Sequence, residues 1–182
     1  MLISCSKAES QQLNSLGVPR SKISEIKNYI KGKEYNQELA VFINFRIPSG
    51  KYRYFVYNLQ KNTIVQQAVV SHGSGSVVPK SDVLKFSNVE GSYQSSFGKY
   101  AIGESYVGKF GKAYRLKGLD STNSNAMQRA IVLHSYGCIP DIESQAPACL
   151  SLGCPMLSVN ALKETAKYID QSTKPVILYA FY

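Results

Sequence analysis

The sequence predicts a mainly β domain of the β-rich α+β kind, and three observations carry that expectation. Thirteen Tyr stand against no Trp, alongside many Val, Ile and Thr, the residue types that pack well on a pleated surface. From residue 39 onward, β-branched and aromatic residues fall in short runs separated by turn-formers. Only two segments, 21–31 and 159–170, carry the apolar spacing of a helix.

Taken in order, residues 6–20 are polar with Gly17 and Pro19 and read as a tether. Ile23, Ile26, Tyr29 and Ile30 share one face of a short helix, with Ser21 as N-cap and Gly32 as its stop. Leu39–Ile47, Tyr52–Leu59 and Thr63–Val70 then form an antiparallel meander, broken at Pro48-Ser49-Gly50 and at Gln60-Lys61-Asn62. Residues 71–96, rich in Ser and Gly, read as long loops. Phe97–Gly103 and Ala113–Leu119 are further strands, and Gln128–His134 holds the continuous apolar run of a strand buried on both faces. An irregular stretch rich in Pro, Gly and Cys covers 135–157. Ser158 caps a helix over 159–170, and Val176–Tyr182 is a last strand. The expected organisation is a tether over 1–20, a helix and linker over 21–38, and one domain over 39–182.

Composition narrows the function classes. At 182 residues, 44% apolar and 18% charged, the chain suits one globular domain with its own core. A net charge of +9 favours an anionic partner. Nucleic acid ranks low, because no basic cluster is interleaved with aromatics and no zinc-finger spacing occurs. No apolar run approaches the roughly 18 residues of a membrane-spanning helix. Leu2-Ile3-Ser4-Cys5 resembles a lipobox, which implies lipidation at Cys5 and attachment to a membrane on its periplasmic side. Only four residues precede Cys5, so this reading requires a late or truncated start, and chance is the alternative.

The chemistry has few candidates. The chain holds two His, His72 and His134, and four Cys. His134 ends the buried 128–134 run, where a side chain is held rigidly. Cys154 follows Gly153 just ahead of the second helix, so free N–H groups at the helix start are expected to lower its thiol pKa and to stabilise an oxyanion. A thiolate attacks a carbonyl, while imidazole takes the thiol proton and later returns it to a leaving amine.

His134-Ser135 followed, after the sixteen residues 135–150, by Ser151-Leu152-Gly153-Cys154 resembles the signature of YkuD-type L,D-transpeptidases. Cys154-Pro155 brings it closer to the branch known as murein L,D-transpeptidase catalytic domains. Asn44-Phe45, Phe55–Leu59, Ser71-His72-Gly73-Ser74-Gly75, Phe86-Ser87-Asn88, Ser95–Tyr100, Arg115–Leu119 and Arg129–His134 resemble that branch as well, so the likeness covers residues 39–182. It implies a β-sandwich or barrel with two or three short helices, no cofactor, and acyl transfer from a peptidoglycan stem peptide in the bacterial envelope. By position, Cys154 is nucleophile, His134 base and Ser135 its orienting neighbour, with the N–H groups of Gly153 and Cys154 as oxyanion hole. Leu152 stands where the wider family has a second His, and Pro155-Met156 replaces polar residues. These departures bear on substrate and acceptor.

Around that pair, His72, Tyr106, Arg115 and Ser151 are the substrate-binding candidates, with His72 as alternative base. Lys109 and Lys112 share a Gly-rich hairpin with Tyr106, and Arg129 is either a carboxylate ligand or a structural ion-pair partner. Cys138 and Cys149 form a disulfide across the loop between base and nucleophile; free thiols, or a zinc site with Cys154 and His134, are the alternatives. Three functions stay open: transpeptidase, L,D-carboxypeptidase with water as acceptor, and a non-catalytic wall-binding lipoprotein.

Overall fold

The computed structural model describes residues 17–182; Cys5 lies outside them. The elements are α1 (Arg20–Ile30), β1 (Leu39–Asn44), β2 (Tyr52–Asn58), β3 (Thr63–Val69), β4 (Gly98–Gly108), β5 (Gly111–Gly118), β6 (Val132–Ser135), β7 (Met156–Leu157), α2 (Val159–Ile169) and β8 (Ile177–Phe181). All eight strands belong to one sheet in the order β3-β2-β1-β8-β4-β5-β6-β7. β1 pairs with β8, and β6 with β7, in parallel; the other pairs are antiparallel.

The central strands are apolar on both faces because both faces are covered. In β1, Val41 and Ile43 enter a core shared with Tyr54, Leu116, Leu133 and Leu178, while Ala40 and Phe42 face the other way. The period-two alternation of a strand divides one apolar run between two cores. Leu162 and Ile169 of α2 join the first core. Ile23, Ile26 and Ile30 of α1 cover the second, against Phe42, Phe55, Ile177 and Tyr179. Polar contacts hold α1 in place: Lys22 donates to the Tyr179 hydroxyl at 2.7 Å, that hydroxyl donates to Glu25 at 2.8 Å, and Glu25 pairs with Lys99 at 3.2 Å. Ser158 caps α2, its hydroxyl accepting from the Ala161 N–H.

The two ends of the sheet meet. Directly after β3, the Ser71 N–H donates to the Met156 carbonyl of β7 at 3.0 Å, and the Met156 N–H donates back to the Ser71 hydroxyl at 3.0 Å. Gly73 makes a further bridge to Ser151. The architecture is therefore a near-barrel: one curled sheet whose edges are stitched side by side, not two sheets packed face to face.

Three expectations need correcting. Ser21 is not the N-cap of α1, which begins at Arg20 after Pro19 with no side-chain cap. The strand expected over 128–134 begins at Val132, because residues 121–130 are spent in turns. Asn123 organises them, its amide donating to the Lys99 carbonyl and its oxygen accepting from the Asp120 N–H, both at 2.9 Å. Ile131 is buried, but from the turn. The hairpin of β4 and β5 also runs further than expected, joined by Lys109-Phe110, with a register irregularity between Ile102 and Ser105.

Because Ile26 is fully buried beneath α1, Ile26→Ala is expected to cost about 2–5 kcal/mol. Urea unfolding should show a lower midpoint at unchanged slope. A loss below about 0.5 kcal/mol would mean that α1 is not part of the cooperative unit.

Candidate active site

The β6–β7 ladder builds the site. His134 lies opposite Met156, so Cys154, two residues before Met156, comes alongside Val132. The Val132 N–H points at the Cys154 sulfur at 3.4 Å. Val132 and His134 are two apart on one strand and project from the same face. The thiol and the imidazole thus line one cleft of about 480 Å³, which the β4–β5 hairpin flanks through Tyr106, Lys109, Phe110 and Ala113 and the 150–156 segment closes through Leu150, Leu152 and Met156.

His134 has a defined tautomer. Its Nδ1 lies 3.0 Å from the Ser135 carbonyl oxygen. A carbonyl only accepts, so neutral His134 carries its proton on Nδ1 and keeps a lone pair on Nε2. Burial pushes the His134 pKa below its usual value, partly offset by that carbonyl. Burial pushes the Cys154 thiol up, opposed by the Val132 N–H and by the charge of Arg129. Both partners therefore favour their neutral forms at rest.

The backbone around Cys154 differs from the expectation of a helix start. Cys154 precedes β7, and α2 begins only at Val159, so no helix N-terminus points at the sulfur. The Gly153 N–H is engaged, donating to the Ser151 hydroxyl at 3.0 Å. Of the two expected oxyanion donors, only the Cys154 N–H has no acceptor among the described residues. Gly153 has φ +122°, and a Cβ there would lie 3.0 Å from the Gln94 carbonyl oxygen and 3.2 Å from Ile131. Arg129 stands behind it, donating to the carbonyls of Ser87 and Gln94 and to the Ser96 hydroxyl. It is neither an ion-pair partner among the described residues nor a free carboxylate ligand.

The other expected residues divide. Tyr106 and Ser151 line the cleft. Ser135 acts through its backbone carbonyl. Arg115 does not line the cleft and reaches it only through Tyr106, whose ring centre lies 4.8 Å from the guanidinium. Lys112 is occupied by Asp170. His72 is buried away from the cleft: its Nδ1 lies 2.8 Å from the Arg53 guanidinium, which also donates to the Val70 and Ile47 carbonyls. No carboxylate joins this pair, and the His72 Nε2 has no partner among the described residues. Cys138 and Cys149 are joined as a disulfide between Tyr136 and Leu150, both of which line the cleft. No group of three metal-binding side chains occurs among the described residues. Phe110 and Tyr136 escaped the sequence reading, although a lone aromatic between Gly108 and Gly111 was a visible signal, and Ser71 entered it only as part of the 71–75 motif, with no role assigned.

A family model described as L,D-transpeptidase catalytic domain matches residues 10–181. No curated protein matches the chain. Among solved structures, the chain is similar to the helical cell shape determining protein Pgp2 of Campylobacter jejuni, at 17% identity and TM-score 0.52, covering 79% of this chain and 47% of that one. A point mutant of the same protein gives 16% identity and TM-score 0.51 over 90% and 56%. An L,D-transpeptidase from Mycobacterium smegmatis gives 13% and 0.46 over 80% and 59%. The chain spans only 47% to 59% of the length of these chains. At such identities the likeness to the Campylobacter protein is one of fold.

Two expectations follow from the buried groups. Burial first, and then repulsion from Arg53, hold the His72 pKa down at about 4 against an ordinary 6.5. The unfolded chain then binds the proton that the folded one refuses, so His72 leaves stability intact above pH 6.5 and removes roughly 3 kcal/mol as pH falls to 4. Urea unfolding at pH 7, 5.5 and 4.5 should show this loss, and His72→Gln should flatten it; equal slopes in both proteins would refute the assignment. Gly153→Ala, forced into a left-handed conformation, is expected to cost about 1–3 kcal/mol and to slow alkylation of Cys154. An unchanged thermal midpoint and alkylation rate would contradict that.

Proposed function

The chain belongs to the L,D-transpeptidase catalytic domain family, and on that premise we propose that it transfers peptidoglycan stem peptides through a thioester on Cys154. The observation that carries this reading is the cleft shared by the Cys154 thiol and a His134 whose Nδ1 is tied to the Ser135 carbonyl, leaving Nε2 as the base. The enzyme works in the bacterial envelope on the cell wall. The proposed reaction uses no cofactor.

The reaction proceeds in two halves. His134 Nε2 takes the Cys154 proton, and the thiolate attacks the stem carbonyl that precedes the terminal D-alanine. The carbonyl oxygen becomes an oxyanion next to the Cys154 N–H, the unengaged donor at the sulfur. The C–N bond breaks, His134 returns its proton to the leaving D-alanine amine, and a thioester remains. In the second half the acceptor amine's nitrogen attacks the thioester and gives a proton to His134; the C–S bond breaks, and His134 returns that proton to the leaving sulfur, which restores the thiol. Phe110, Tyr136, Leu150 and Leu152 give the cleft an apolar but solvent-exposed lining, so it is open to an acceptor from solution, amine or water. The net charge of +9 suits an anionic wall polymer, and a lipid on Cys5 would hold the enzyme beside it on the periplasmic side.

Incubation with a tetrapeptide stem and an amine acceptor, followed by mass spectrometry, tests the reading. Loss of alanine with a new cross-linked product, both absent in Cys154→Ala and His134→Ala, is the expected result. Alanine loss without cross-linking would make the protein a carboxypeptidase. No product from folded, thiol-competent protein across several stems would leave a wall-binding module.

A further inference from the structure

His134 gains a positive charge when it accepts the Cys154 proton, and that charge needs a counterweight in a buried cleft. Nδ1 faces a neutral carbonyl, so its partner supplies a dipole rather than a charge. Among the described residues no Asp or Glu lines the cleft. The titratable groups around His134 are Cys154, Tyr106, Tyr136 and Lys109, with Arg129 behind Gly153; every fixed charge in that set is positive.

One feature does favour a cation at His134. Phe110, at the turn of the β4–β5 hairpin, lies nearly parallel over the imidazole, with ring centres 5.4 Å apart and planes inclined by 25°. Tyr136 meets Phe110 edge to face at 5.3 Å and 84°, a second aromatic contact for a ring that is 48% exposed. An aromatic face carries negative potential and attracts a cation within about 6 Å. Lys109 lies over the same ring at 5.7 Å, but it is exposed, so water carries most of its charge.

We propose that Phe110 is a positioning residue that acts through His134: its ring face stabilises the imidazolium formed with the Cys154 thiolate, in the role a carboxylate would otherwise take. The transfer breaks the S–H bond and makes an N–H bond at Nε2, with no change in total charge. Neutral His134 gains little from the ring and the imidazolium gains more, so the contact shifts the thiol–imidazole pair toward its reactive, charged form. The inference rests on His134 being the base for Cys154, as in the proposed function.

Fluorination separates charge from shape. Phe110 is replaced by 4-fluoro-, 3,5-difluoro- and pentafluorophenylalanine, which drain the ring face stepwise while keeping its packing, and by Phe110→Leu. The His134 ring protons are titrated by NMR in the Cys154→Ala background, with His72 as the internal control. The His134 midpoint is expected to fall stepwise, by roughly half a pH unit over the series, while His72 does not move. With Cys154 intact, alkylation by iodoacetamide near neutral pH should slow about two- to fivefold along the same series. An unchanged His134 midpoint across the fluorinated proteins overturns the proposal. So does a shift seen only with Phe110→Leu, which would show that the ring acts as cover and not through its charge distribution. Neither readout needs a stem peptide, so failure here leaves the acyl-transfer reading untouched, and failure of that reaction leaves the titration intact.

Discussion

Ser71 holds the architecture and the chemistry together at one point. Its backbone N–H and its hydroxyl clasp both sides of Met156, at 3.0 Å each, and its hydroxyl donates onward to the Cys154 carbonyl at 3.3 Å. A two-residue edge strand such as β7 has little pairing strength of its own. Clamped between β6 and the end of β3, it becomes the seam that closes the near-barrel. Cys154 lies in the bend two residues before that seam, and its carbonyl is held by Ser71, so the position of the sulfur is tied to sheet closure. Gly153 allows the turn into the seam, and Arg129 braces the carbonyls behind it.

The same closure explains the electrostatic character of the site. Tight packing withdraws the thiol and imidazole from water, so each prefers its neutral form. The surrounding groups act by geometry: a carbonyl chooses the tautomer, an N–H approaches the sulfur, and an aromatic ring stacks beside the imidazole. The Cys138–Cys149 disulfide ties the segment after β6 to the segment before Cys154, which limits how far the two cleft walls can separate. A long irregular loop is thereby made part of a rigid scaffold.

Away from the cleft, the buried Arg53–His72 pair shows what the closed fold tolerates. A guanidinium with no carboxylate, its pKa lowered to about 9 by burial, is held by two carbonyls and an imidazole. Such a group costs stability, and its place beneath the 70–73 segment ties it to the geometry of Ser71 next door. The backbone is bound to the seam on the same stretch, since the Ser151 N–H donates to the His72 carbonyl. His72 matters as a support under the seam, not as a second base.

Much was legible in the residues themselves. Period-two alternation and β-branched content are local properties, and they located the meander, the last strand and both helices. That His134 and Cys154 would meet in one cleft was legible because the motif preserves their spacing and types. The strand before His134 was misplaced because an apolar run reads alike in a strand and in a buried turn; Asn123, reaching back to Lys99, decided between them. The surroundings of His72 and the Gly153 N–H were misread for a related reason. Whether a histidine faces a cleft or an arginine, and whether a backbone N–H is free or taken by Ser151, depends on partners far away along the chain. Those partners exist only once the sheet has closed, because hydrogen bonds and burial are set by distance in space, which spacing along a sequence does not encode.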